Sequence, residues 1–299
     1  MKLDMVGRTA GELLAIQRDM LERLSGNDGD LWLERYKRLH NGENPFVELT
    51  GENSIQPSDA WKAELVAYAK RKLKKFSRPW ADQVTAIPDR WTPDFVTNAT
   101  KYGYKPVFVP TVDISADSQR PKYIKLGDWY YQNIRNGNIK TENPTQLQKG
   151  WYLADSSLGV DYTDGSQIFP SDWWKPMLSK LRKELSIIGR HDKTPNGSRF
   201  SITYDEWIQV VLAHWAGALM TTRAQTNLPT AAEWNFVGNV YFPHYGANNM
   251  WVWFTDVFED VHQLIGGYRA HGGLTDVNYD WHGGRFNSVA GRPLVSFVS

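Results

Sequence analysis

Cysteine is absent from the 299-residue chain, which excludes disulfides, Cys-ligated zinc or iron–sulfur centres and any thiol nucleophile. Lysine is absent after Lys193. The residues beyond it carry five arginines against eight acids, net −3, which leaves +4 for the rest. The whole chain is +1, so its charge gives no global reason to expect nucleic acid or an anionic membrane as partner. Long apolar runs are also missing. Residues 1–20 hold no unbroken apolar stretch, so no secretory signal is expected. The most apolar window, 208–220, is broken by Gln209, His214 and Gly217. It is too short to cross a bilayer and predicts a buried helix, not membrane insertion. No P-loop, dinucleotide fingerprint, nucleophile elbow or His-Glu-x-x-His helix is present.

What is there reads as globular: 41% apolar and 22% charged residues, in a chain long enough for one large domain or two ordinary ones. The amino-terminal part predicts helices. Thr9 to Glu12 has capping-box spacing ahead of Leu13, Ile16, Met20 and Leu24, and Asp30 can cap a second helix ending at Asn41-Gly42. A third, about 58–76, carries Trp61, Leu65, Ala69, Leu73 and Phe76 at helical spacing. Its other face holds Lys70, Arg71, Lys72, Lys74 and Lys75. The simplest reading is a solvated face whose cations complement the helix's carboxy end. Ser77 to Pro93 concentrates breakers, so a helical region 1–85 is expected to give way to a second domain, 86–299.

Beyond residue 87, prolines interrupt short strand-like pieces: 105–110, 111–114, Trp129-Tyr130-Tyr131 and 150–155. Helices are expected at 172–188 and 204–220, the latter behind a second capping box, Thr203 to Glu206. Thr230 to Glu233 makes a third. Five of the seven histidines follow residue 193, as do Gly-Gly pairs at 266–267, 272–273 and 283–284. Without a phosphate-loop lysine those pairs mean turns. Asp280-Trp281-His282 with His271 and Asp276 could suggest a two-His, one-carboxylate iron site, but proximity in sequence does not show convergence. A structural or surface role is the simpler reading.

The order of elements near the carboxy terminus carries more. Leu228-Pro229-Thr230-Ala231-Ala232-Glu233-Trp234 is followed by Trp251-Val252-Trp253 with Asp256, then Leu264-Ile265-Gly266-Gly267-Tyr268, then Gly291-Arg292-Pro293-Leu294-Val295. This series resembles the C-type lectin fold of the formylglycine-generating-enzyme type. Val252 stands where that family has a glutamate, and Ala290-Gly291 where it has Gly-Phe before the arginine. The resemblance implies an α+β fold of short strands with two or more helices. It also implies that Trp234, Trp251, Trp253 and Trp281 are scaffold and that Arg292 satisfies buried carbonyls. The family's oxidising enzymes need a cysteine pair or a clustered three-histidine site, and this chain has neither. No catalytic residue, metal or cofactor is therefore expected. An iron enzyme on the same fold, or an ordinary carbohydrate lectin, remains the alternative.

Among binders, the chain resembles the variable proteins of diversity-generating retroelements, the family that includes the major tropism determinant of a phage. In that family a window before the last strand is rewritten at adenines, and the fold presents it as one ligand-binding face. The resemblance implies a variable region at about 250–292. Its binding residues would be Tyr268, Arg269, Ala270, His271, Asn278, Tyr279, Asp280, His282, Arg285, Phe286, Asn287 and Ser288. Aromatic anchors among small polar residues suit a paratope. The implied partner is a protein or glycan on a cell surface, with the protein itself on a virion or cell surface, or otherwise cytoplasmic.

Overall fold

Proline opens or nearly opens each of the helices between residues 57 and 101, where its fixed φ suits the first turn and its missing N–H is not needed. In the computed structural model, which describes residues 57–115, 124–162 and 167–298 together with Trp32, Leu33 and Lys37, α1 begins at Pro57 and runs Pro57–Lys74. The short α2 (Arg78–Asp82) and α3 (Pro93–Lys101) follow, each with Pro at its first or second position. The first helix, expected from residue 9, lies outside the described residues; of the second, expected up to residue 41, only Trp32, Leu33 and Lys37 are described, and all three are helical.

Contacts divide the chain into two units, 1–54 and 55–299. The boundary expected at 85/86 falls inside the second unit. Ala69, Leu73, Trp80 and Ala81 are buried in the same core as Phe108 and Trp151, so α1 and α2 belong with the strands that follow them.

That unit is α+β. Strand β1 (Tyr104–Val109) is followed by β2 (Val112–Asp113), helix α4 (Asp128–Arg135), β3 (Gln146–Leu147) and β4 (Gly150–Asp155). Helix α5 (Lys175–Lys183) is shorter than the expected 172–188. The next helical stretch starts as α6 (Tyr204–Glu206), passes through a π segment (Trp207–Val211) and ends as α7 (Leu212–Ala218). After β5 (Thr226–Asn227) come α8 (Ala231–Val240), β6 (Trp251–Phe258), β7 (His262–Gly266), β8 (Val277–Trp281), β9 (Val289–Ala290) and β10 (Leu294–Val298).

Two four-stranded sheets organise these elements, in the orders β1-β4-β10-β5 and β8-β7-β6-β9. β4 lies between β1 and β10 and all six of its residues are buried, hence its nearly unbroken apolar run. Its one charged residue, Asp155, meets the Arg199 guanidinium, which also pairs with Asp172 at 2.7 Å. α8 is apolar nearly all round and almost wholly buried, as such a helix must be.

The strand expected at Trp129-Tyr130-Tyr131 is the helix α4 instead. Three adjacent aromatics carry a β signal, but Asp128 and Arg135 complement the helix ends and Tyr130, Tyr131 and Asn133 turn inward. The capping boxes at Thr203 and Thr230 are both formed, each Glu side chain returning to its N-cap N–H.

Candidate ligand-binding face

Register decides which side of the second sheet each side chain takes. Val252 pairs with Gly266, Trp253 with Ile265, Leu264 with Tyr279 and Gln263 with Asp280. Directly opposed residues share a side and consecutive residues alternate. One side, with Val252, Phe254, Leu264 and Gly266, packs on α8 through Trp234. A Cβ at Gly266 would collide with the Asp276 carbonyl and the Phe254 ring, and Gly267 has φ +96°, so two glycines are needed. The other side carries Trp253, which is 0% exposed. It lies between Tyr204 and Phe286, and its Nε1 donates to the Ile202 carbonyl at 3.1 Å. Asp256 ties β6 to α8 by accepting from the Ala231 N–H at 2.6 Å.

The window residues fall into three groups. The first is the turn after β7, where Arg269, Ala270 and His271 are exposed. Tyr268 stacks on Trp251 at 5.1 Å, with His271 4.9 Å from the Tyr268 ring and Tyr162 6.2 Å on. Backbone groups hold this turn: Arg269 N–H donates to the Asn248 carbonyl and Ala270 N–H to the Asn249 side chain. Beside it, burial raises the Asp276 carboxyl to about 6, with His271 opposing.

The second group is the edge strand β8. Asn278 and Asp280 point to the Trp253 side, whereas Tyr279 and Trp281 point to the helix side. Tyr279 stacks on Phe258 at 4.1 Å and on Trp129 at 6.0 Å, and Asp280 is raised by burial. Trp281 is 55% exposed and is not scaffold. It pairs with His262 at the end of an edge strand, where no further strand among the described residues pairs with it. Of the other expected scaffold tryptophans, Trp234 and Trp253 are buried and Trp251 is half-exposed beneath Tyr268.

The third group is the return to β9. Carbonyls of His282, Phe286, Asn287 and Ser288 accept from Tyr204 N–H, Ser201 N–H, the Gln167 amide and Trp251 N–H. Two side chains here also have charged partners of their own. His282 Nδ1 lies 2.7 Å from Asp205, and Arg285 grips Glu206 with both terminal nitrogens at 2.7 and 2.8 Å. Burial would raise Glu206, but bonds from Arg285, Gly189 and Thr203 outweigh it and hold the carboxyl below its ordinary range. Phe286 is half-buried on Trp253, and Asn287 is exposed.

The fold thus brings Tyr268 to His271 together around Trp251 and Tyr162, but separates Asn278 and Asp280 from Tyr279. His271, Asp280 and His282 do not converge. Among the described residues, no three His, Asp or Glu side chains are grouped to hold a metal ion. Arg292 is buried with one terminal nitrogen on the Ser157 carbonyl, stacked near Phe169, Trp234 and Tyr245, with Nε 4.0 Å from Asp155. Carbonyl satisfaction is therefore only part of its role. Sequence reasoning missed Tyr162 and Trp129, which lie far from the window in the chain. Compared with protein-family models, curated proteins and solved structures, the chain gives no match.

Proposed function

We propose that this is a ligand-binding protein of the C-type lectin fold, similar to the variable proteins of diversity-generating retroelements, and not an enzyme. The observation that carries the reading is the contrast within 250–292. Arg269, Ala270, His271, Asn278, Tyr279 and Asn287 are exposed, around a framework of Val252, Trp253, Phe254, Leu264, Gly266 and Arg292 that is buried. Rigid aromatic rings, Trp251 and Tyr279 on strands and Tyr268 in the turn after β7, stand among small polar side chains. Such a surface gives contact area at low entropic cost and adaptable hydrogen bonding. Its partner would be a protein or glycan on a cell surface, reached from a virion or another cell.

Sequencing the coding region across a source population tests the proposal. Replacements should concentrate at adenines in the codons of Tyr268 to His271, Asn278 to His282 and Phe286 to Ser288. They should spare Trp253, Gly266 and Arg292. A reverse-transcriptase gene beside a near-copy of these codons should accompany them. Substitutions spread evenly along the chain would refute the reading.

A further inference from the structure

The end of α1 and the start of α2 carry a charge that the rest of the fold leaves unbalanced. Between Glu64 and Asp82 there is no acid but six cations: Lys70, Arg71, Lys72, Lys74, Lys75 and Arg78. Five are exposed, and Lys72 lies over the Tyr68 ring at 5.7 Å. Among the described residues none of the six has an ion-pair partner. Helical spacing instead sets like charges beside each other, Lys70 with Lys74 and Arg71 with Lys75, which repel. The helix dipole accounts for the three in the last turn, Arg71, Lys72 and Lys74. Lys70, Lys75 and Arg78 lie outside that turn. At about 100° per residue, Lys70, Arg71, Lys74 and Lys75 share an arc of about 140°, on the side away from buried Ala69 and Leu73.

We propose that this cationic face is an adsorption surface for an anionic lipid bilayer. Four of the six cations are lysines, compact point charges suited to diffuse headgroup phosphate, whereas planar bidentate recognition favours arginine. Among the described residues, none of the exposed large apolar side chains lies on α1 or α2, so the face lacks both a wedge for insertion and an aromatic platform for stacking bases. Binding is therefore peripheral and electrostatic. It is independent of the carboxy-terminal window.

The test is co-sedimentation of the full chain with vesicles of equimolar phosphatidylglycerol and phosphatidylcholine, beside vesicles of phosphatidylcholine alone. Binding should require the anionic lipid and weaken as salt rises. Each cation near the surface contributes about fivefold in affinity. Lys70→Gln with Lys74→Gln should therefore lose roughly tenfold or more, and Arg71→Gln with Lys75→Gln should do the same. Both exposed pairs should keep the parent melting temperature. Failure to bind, equal binding to neutral vesicles, or full binding by both folded variants overturns the proposal. So does duplex DNA that binds the chain more tightly than the vesicles and is lost in the same variants. Replacing Tyr268, His271 and Asn278 by serine should leave vesicle binding intact, which separates this inference from the window's function.

Discussion

Trp253 and Trp281 are the sharpest pair on which to test the division between framework and display. Both lie in the carboxy-terminal sheet, but one is 0% and the other 55% exposed. Truncating Trp253 to alanine empties the space between Tyr204 and Phe286 and removes the bond to the Ile202 carbonyl. A buried tryptophan lost in this way costs about 3–5 kcal/mol. In a unit of this size each kcal/mol moves the melting temperature by about 2–4 °C, so Trp253→Ala should melt roughly 6–20 °C lower. Trp281→Ala removes an exposed ring, and such changes stay within about 0.5 kcal/mol, or roughly 1–2 °C. Thermal and urea unfolding followed by near-ultraviolet circular dichroism measures both. If Trp281→Ala unfolds as readily as Trp253→Ala, the division into a buried framework and an exposed display is wrong.

Arg199→Met leaves the Asp155 and Asp172 carboxylates buried without their guanidinium and should cost about 3–5 kcal/mol in urea unfolding; adding Asp155→Asn and Asp172→Asn should recover part of it. Burial, with the nearby Glu233 charge, raises Asp256 to about 7 in the folded protein, against about 3.9 unfolded. Its protonated form therefore contributes stability in full below about pH 4 that is lost as pH rises through about 7, and Asp256→Asn should flatten that decline in unfolding free energy. Arg285→Ala should lower the melting temperature, because it strips Glu206 of its bidentate partner, whereas Arg269→Ala should leave it unchanged. Gly266→Ala forces a methyl group against the Asp276 carbonyl and should cost about 1–3 kcal/mol in the same assay.

Much of the fold was legible because local signals act over a few residues. The boxes at Thr203 and Thr230 each need only four positions, and both formed. The strands 104–109, 150–155 and 294–298 show themselves as apolar runs. The failures are non-local. Helix α4 carries a strand signal because aromatic side chains favour sheets on average, whereas its fold is set by distant partners: Tyr131 donates to the Ile114 carbonyl and Tyr130 to the Pro144 carbonyl. The domain boundary misled for a similar reason. Prolines between 77 and 93 do break helices, but the short pieces on both sides bury Trp80, Ile87 and Trp91 in one core.

The window was legible as composition but not as geometry, and the difference bears on how it could vary. Alternation along β8 divides Asn278 and Asp280 from Tyr279 and Trp281, a separation that only the sheet register reveals. More consequential is how the turns are fastened. The segments 268–271 and 282–288 are held mainly by backbone groups: Arg269 N–H, Ala270 N–H and the carbonyls of His282, Phe286, Asn287 and Ser288. Such bonds are indifferent to side-chain identity, so most of these positions can change without loosening the turn. Arg285 departs from this pattern. Its side chain bonds the Ser201 carbonyl and Glu206, and Glu206 in turn closes the capping box of α6 and accepts from Gly189 N–H. Replacing it would release a half-buried carboxylate and the bonds it holds, not merely a contact residue. Arg285 therefore belongs with Trp253 and Gly266 as framework, and exposed Arg269, Ala270, Asn278 and Asn287 are the side chains most free to follow a ligand.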